Sequence, residues 1–297
     1  MGAEVLRALS PRPGDVIVDG TAGTGGHSLM MLPHLLPHGR LVAIDRDRAA
    51  LDLARQRLAE FAPQATFLRE DYRHLPAILR DLGIGGVDGL LLDLGMSSLQ
   101  VDRAERGFSF SQEGPLDMRM DTEQEHTAEA IVNKATADEL ATILETLGEE
   151  RYARRIARRI VQERRARPIL TTTQLARLVT GAVPPPARHG RLHPATRTFQ
   201  ALRMAVNDEL GALEELLGCV GELLNPGARA VILTFHSLED RLVKRAFAQG
   251  AREDQWAVQT KKPLRPSPEE LAQNPRARSA KLRAIARHSE LGKGARP

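Results

Sequence analysis

A chain of 297 residues, 42% of them hydrophobic, can bury a large core and sits at the size where one domain starts to carry an insert. Its single cysteine, Cys219, excludes an internal disulfide. No stretch approaches 18 consecutive apolar residues, which excludes a spanning helix and leads us to expect a soluble, cytoplasmic chain. The net charge of +4 is carried by arginine, since only six of the 42 basic residues are lysines, and a planar guanidinium suits phosphate. Aromatic residues make up only 3%, so recognition of a single strand by stacked rings is not expected.

Glu4 to Leu9 reads as a short helix feeding the turn Pro11-Arg12-Pro13-Gly14. Val16-Ile17-Val18-Asp19 is an apolar run that ends in an acid and breaks into Gly20, Gly23, Gly25 and Gly26. Glycines at this density let a backbone turn with positive φ and approach a ligand closely. His27 to Leu36 continues as a helix, which places the loop at a helix N-terminus where free amides face a ligand. The dinucleotide fingerprint is not met, because Ser28 stands where its third glycine would fall. A second strand, 41 to 45, ends in Asp45, where a carboxylate can accept both hydroxyls of a ribose. Asp19 and Asp45 together suggest a nucleoside ligand, helix capping being the alternative. The pattern continues through a helix at 48 to 61, a strand at 65 to 68 ending in Glu70-Asp71-Tyr72, a helix at 75 to 82, and a strand at 87 to 94 that carries Asp93. Alternating strands and helices imply a parallel sheet with its crevice at the strands' carboxyl ends, where Asp19, Asp45, Asp71 and Asp93 all fall.

The alternation then stops for about a hundred residues. Gly107 to Asp121 reads as a polar loop, followed by helical patterns near 124 to 134, 136 to 147 and 149 to 166. The last carries eight arginines between Arg151 and Arg167, offset only by Glu163, with Tyr152, Ile156 and Ile160 spaced by four on the opposite face. It reads as an RNA phosphate track, a solvated helix face being the alternative. Pro184-Pro185-Pro186 and His193-Pro194 bound a second extended loop. A long helix comes next from Asn207 to Leu224, then a strand from 228 to 235 ending at His236-Ser237, a helix from 238 to 249, and two closing strands at 256 to 262 and 281 to 287. The expected organisation is a discontinuous domain of residues 1–105 and 207–297, interrupted by a helical, RNA-binding insert of residues 106–206.

These segments together resemble one family. The resemblance is carried by Asp19-Gly20-Thr21 with Gly25-Gly26-His27, by Ile44-Asp45-Arg46-Asp47, and by Leu92-Asp93-Leu94-Gly95-Met96-Ser97-Ser98 with Gln100. Further on lie Gly114-Pro115-Leu116-Asp117-Met118-Arg119, His193-Pro194-Ala195-Thr196-Arg197-Thr198-Phe199-Gln200, and Phe235-His236-Ser237-Leu238-Glu239-Asp240-Arg241. The chain resembles the RsmH (MraW) family over nearly its whole length. The resemblance implies an α/β class I S-adenosylmethionine (SAM) methyltransferase, Rossmann-like with a seven-stranded sheet and an inserted helical domain. It implies methylation of N4 of a cytidine in the decoding region of 16S rRNA, at position 1402 in the usual rRNA numbering, with the 30S subunit as partner, no membrane, and a possible homodimer. Carried over by position, Gly25, Gly26 and His27 form the SAM loop, Asp45 holds the ribose, and Tyr72, Asp93 and Gln100 make the remaining cofactor contacts.

Asp93 is also the candidate catalytic acceptor, because a carboxylate beside an exocyclic amine makes that amine more nucleophilic and can receive its proton. Asp117, Arg119, Asp121, His193, Arg197, Asn207, His236 and Ser237 are candidates for the RNA side. No metal is expected, as the histidines and carboxylates lack ligand spacing. The chain departs from the family twice. Its opening, Met1-Gly2-Ala3-Glu4-Val5-Leu6, resembles the family's chain just after a His-x-Pro-Val-Leu segment and suggests a truncated start, and Tyr72 stands where Phe is usual. A DNA amino-methyltransferase is the alternative enzyme, but it would carry Asp/Asn/Ser-Pro-Pro-Tyr/Phe where Asp93-Leu94-Gly95-Met96 stands. A non-catalytic ribosome-assembly factor is the alternative from another class.

Overall fold

The computed structural model describes residues 1–190 and 192–289. Two compact units emerge, one of residues 1–95 with 210–297 and the other of residues 96–209. The expected insert of 106–206 lies inside the second.

In the first unit, seven strands form one sheet: β1 (Val16–Asp19), β2 (Arg40–Ile44), β3 (Ala65–Leu68), β4 (Val87–Asp93), β5 (Leu224–Thr234), β6 (Trp256–Val258) and β7 (Lys281–Arg287), in the order β3-β2-β1-β4-β5-β7-β6. The first five strands are parallel, and β7 runs antiparallel between β5 and β6. Successive residues of each strand serve opposite faces. Val18, Val42, Leu90, Leu92 and Ile232 pack on one side with Leu213, Leu216, Val220 and Phe247 of the helices Glu209–Leu223 and Ser237–Arg252. Ile17, Leu41, Ala43, Leu91 and Val231 pack on the other with Met31, Leu35 and Leu51 of the helices Gly26–Leu35 and Arg48–Arg57. A sheet buried on both faces has strands without a polar side, hence the unbroken apolar run Leu90-Leu91-Leu92. The seven-stranded α/β class I methyltransferase sheet that the resemblance implies is present, and its antiparallel β7 is an addition that the sequence reading does not contain.

The second unit is helical. Its core gathers Val132, Leu140, Leu144, Ile156, Ile160, Leu175, Val179, Phe199 and Leu202, all buried. The helices Ala128–Lys134, Ala137–Thr146 and Ala153–Arg164 are shorter at their N-termini than the sequence suggests, because Thr127 and Thr136 cap the first two by accepting from the amides of Ala130 and Glu139. Two further helices, Thr172–Ala182 and Thr196–Asn207, stand where the sequence reading places no element, the second just past the loop that His193-Pro194 bounds. The long helix expected from Asn207 to Leu224 is present as Glu209–Leu223; it starts two residues late because Asp208, in a left-handed conformation with φ of 46°, ends the helix before it.

The segment Gly107 to Asp121 is polar in composition yet buries Leu116 and Met118. Two side chains fix it. Arg106 donates to the carbonyls of Arg119 and Met120 at 2.9 and 3.0 Å. Asn207, 3% exposed, accepts from the Met120 amide and donates to the carbonyls of Met118 and Arg203, each at 2.8 Å. Asn207 is therefore a lock inside the second unit, and its side chain is not presented to RNA. Asn207→Ala leaves buried backbone groups without partners and should lower stability by about 2–3 kcal/mol, read by urea unfolding; a change below about 0.5 kcal/mol would show that the loop does not depend on it.

Candidate functional site

β1 lies between β2 and β4, and the sheet winds outward in both directions from there. That reversal opens a crevice at the carboxyl ends of β1 and β4. The loop after β1 enters it. The amide of Gly20 donates to the Leu91 carbonyl at 2.9 Å and that of Ala22 to the Ile44 carbonyl at 2.9 Å, so the loop is tied to both neighbouring strands. Gly25 has φ of 80°, and a Cβ there would lie 3.2 Å from Leu58 Cδ1 and 3.3 Å from Ala54 Cα. Only glycine lets the loop lie this close to the chain that follows β2. The helix Gly26–Leu35 then starts with no side-chain cap, which leaves its first-turn amides directed toward a ligand.

Three carboxylates hold this loop, each differently. Asp19 is buried, accepting from Ser28 Oγ at 2.7 Å and the Thr21 amide at 3.3 Å, and burial pushes its carboxyl up. Both of its oxygens are thus engaged within the loop. Asp45 accepts from the amides of Gly23 at 2.7 Å and Asp47 at 2.8 Å. Burial is the main reason its pKa rises to about 6, against the pull of those two hydrogen bonds. Asp93 takes its backbone position from Thr21, whose Oγ1 accepts from the Asp93 amide at 2.6 Å. Its Oδ2 lies 3.3 Å from His27 Nε2, while its buried Oδ1 has no hydrogen-bond partner among the described residues. Burial alone would lower the His27 imidazole, but its hydrogen bond to Asp93 and the charges of Asp93 and Asp19 raise it overall. Thr21 and Ser28, which tie these carboxylates in place, are not distinguished by the sequence reading from other hydroxyls in a loop.

Gly25, Gly26, His27, Asp45, Tyr72 and Asp93 thus all belong to the first unit. Tyr72 follows β3 and is buried against the loop, with its Cβ 3.3 Å from where a Cβ on Gly20 would stand. Asp71 beside it is ion-paired with Arg46 and, at 3.0 Å, with Arg73, and caps the turn by accepting from the Arg73 amide. Gln100 belongs to the second unit. There it closes a capping box, its Oε1 accepting from the Ser97 amide at 3.0 Å while Ser97 Oγ accepts from the Gln100 amide at 3.3 Å. In the first unit His236 caps the helix Ser237–Arg252, its Nδ1 accepting from the Glu239 amide at 3.4 Å and its Nε2 lying 2.9 Å from Glu239 Oε1. In the second, Asp117 and Arg119 form a two-pronged ion pair at 2.7 and 2.8 Å, and that pairing draws the Asp117 carboxyl down past the opposing effect of burial. Arg197 donates to the Glu149 carbonyl at 3.0 Å, and His193 lies over Phe110 with ring centroids 4.7 Å apart.

The model of the MraW methylase family matches residues 1–288. The Ribosomal RNA small subunit methyltransferase H of Geobacter sulfurreducens is 50% identical over 96% of each chain. The protein of the same name from Heliobacterium modesticaldum is 48% identical over 95% of each chain. Among solved structures, TrmN from Thermus thermophilus superposes with a TM-score of 0.45 at 17% identity, over 96% of this chain and 48% of its own.

SAM is the cofactor such a methylase implies, and the crevice fits it. The uncapped amides of Gly26 and His27 and the Asp45 carboxylate are the groups that could hold it, while the unpartnered Asp93 Oδ1 is open either to the cofactor or to the methyl acceptor. Were Asp45 to accept both hydroxyls of a ribose it would do so as the carboxylate, since protonation turns one of its oxygens into a donor, and its pKa is raised to about 6. Affinity for SAM should therefore be steady above about pH 7 and fall about tenfold per pH unit below about 6, measured by calorimetry. Asp45→Ala should weaken binding and flatten that profile; an unchanged slope in the variant would assign the titration to His27 instead. The match across residues 1–288, with relatives at 48 and 50% identity over nearly their full lengths, places the chain in the MraW methylase family.

Proposed function

We propose that the chain transfers a methyl group from SAM to the N4 amine of a cytidine in the decoding region of small-subunit rRNA, acting in the cytoplasm where that RNA is assembled. The observation that carries the reading is family membership over residues 1–288 together with the geometry of three of the matched residues in the first unit, Asp45, His27 and Asp93. Relatives named for small-subunit rRNA support the substrate class, and the motif resemblance supports cytidine N4 as the atom.

When bound, SAM supplies a methyl group on an electrophilic sulfonium; the residues of the chain supply orientation and proton handling. Asp45 takes the ribose, fixing the cofactor along the loop. The amides of Gly26 and His27 and the ring of Tyr72 complete the cradle. Asp93 is the acceptor. One of its oxygens is engaged by His27 and the other is left without a partner, so it can accept from an exocyclic amine and draw that nitrogen's lone pair away from the ring. A cytosine reaches such a crevice only when it leaves its stack, so the substrate base is unpaired or flipped.

Labelled SAM offered to small subunits from a strain lacking this gene should methylate their rRNA and leave duplex DNA unlabelled. Label on DNA with none on rRNA would move the chain to the DNA amino-methyltransferases. No label on either, with SAM still bound, would favour an assembly factor. For Asp93→Asn, kcat should fall by about a hundredfold while SAM affinity stays within about threefold. Loss of SAM binding with kcat intact at saturation would reduce Asp93 to a cofactor contact.

A further inference from the structure

The helix Ala153–Arg164 buries Ala153, Ile156, Ala157 and Ile160, and its other face is turned outward. That face and the helix Thr172–Ala182 bound a groove of about 830 Å³ within the second unit. Arg154, Arg155, Arg158, Arg159, Arg167 and Arg177 line it, against the single acid Glu163. Glu163 is engaged by Arg159 at 3.1 Å. The other five guanidinium groups are exposed and make no hydrogen bond or ion pair among the described residues.

Other arginines of the same unit are committed to structure. Arg164 donates to the carbonyls of Val132 and Ala135, each at 2.6 Å, and Arg188 to those of Val183 and Gly181. Five of the six groove arginines have no such commitment among the described residues. Clustered cations repel one another unless an anion lies between them. Arg154 with Arg158, and Arg155 with Arg159, stand one turn apart, so the charge repeats about every 5.4 Å along the helix. A line of charge fits a polymer of phosphates, whereas a single phosphate would be met by a point cluster. No aromatic side chain lines the groove, which removes base stacking, while the exposed Gln162 offers a donor and an acceptor for ribose hydroxyls. Gly181 and Ala182 leave its floor low, and a Cβ on Gly181 would meet nothing within 4 Å.

We propose that this groove grips the phosphate-ribose backbone of a base-paired segment of the small-subunit rRNA, an anchor built of residues separate from those that handle the cofactor. The proposal rests on the rRNA methyltransferase reading above, and it turns the arginine-rich helix from a solvated face into a docking surface for helical RNA.

The test is a variant in which Arg154, Arg155, Arg158 and Arg177 are all changed to Gln, compared with wild type. SAM affinity and the unfolding midpoint should match wild type, since none of the four side chains holds any part of the fold. On protein-free small-subunit rRNA, binding should weaken tenfold or more at about 150 mM salt, and the dependence of log K on log salt should become shallower by about three. With subunits as substrate, KM should rise by a similar factor while kcat is kept. Double-stranded RNA should compete with wild-type binding at lower concentration than single-stranded RNA of equal length. Equal rRNA affinity and salt slope in the two proteins would return the helix to a solvated face. Binding lost on complete subunits but retained on protein-free rRNA would assign the groove to a ribosomal protein. Stronger competition by single strands would overturn the helical-RNA assignment. Wild-type protein that methylates no rRNA at all would reject the underlying reading, a failure distinct from these. Should the four-fold variant unfold early, Arg177→Gln alone, with an expected slope change of about one, keeps the test open.

Discussion

The first unit depends on where its sheet changes direction. Because β1 lies between β2 and β4, the connections after these strands lead away from one another and leave a gap at their carboxyl ends. Nothing in a parallel sheet fills such a gap, and the backbone entering it must be held from below. Here the tie is made by short polar contacts: Asp45 on the Gly23 amide, Thr21 Oγ1 on the Asp93 amide, and Ser28 Oγ on Asp19. Each joins the glycine loop to a different neighbour, so the loop's position records the positions of β1, β2 and β4 together. The consequence is that carboxylates are drawn into places where burial raises Asp19 and Asp45. A ligand rich in hydroxyl and ammonium donors offsets that cost better than water excluded from the site can.

The same constraint separates residues that hold the protein together from those free to meet a ligand. His236 and Gln100 look functional in a motif but are committed to helix starts, and Asn207 to three backbone groups. Arg119 is matched to Asp117. Asp93 is the contrasting case, because one of its carboxylate oxygens is buried without a partner among the described residues, and Arg154, Arg155, Arg158 and Arg177 contrast likewise in having no such partner. A buried polar atom without a partner is costly in a folded chain, and exposed like charges set side by side repel, so in both places the missing partner is best sought outside the chain.

Much of the first unit was legible because its signals are local. An apolar run ending in an acid and a glycine specifies a buried parallel strand and the turn after it, and β1 to β4 fall within a residue or two of where those runs place them. The second unit was harder. Thr171-Thr172-Thr173 reads as a weak helix former, yet Thr171 is the cap, its hydroxyl accepting from the Gln174 amide, and the helix it starts is held by core residues Leu175 and Val179. The helix Thr196–Asn207 begins two residues after Pro194, in a stretch to which the sequence reading gives no element. Asp208, in a left-handed turn that its composition does not announce, separates that helix from the expected long one, which begins at Glu209. At the site, Asp45 and Asp93 were marked by their places at strand ends. The division of labour among Asp19, Asp45 and Asp93 was not, since it depends on which hydroxyl or amide each carboxylate meets in space.

Delivery of a methyl group to one exocyclic amine is tested most directly by digesting the methylated small-subunit rRNA to nucleosides and identifying the product by mass spectrometry, with the modified position mapped on the RNA. N4-methylcytidine at a single decoding-region site is the expected product. Methyl groups on a ring carbon or a ribose oxygen, or N4-methylcytidine scattered over many sites, would contradict it.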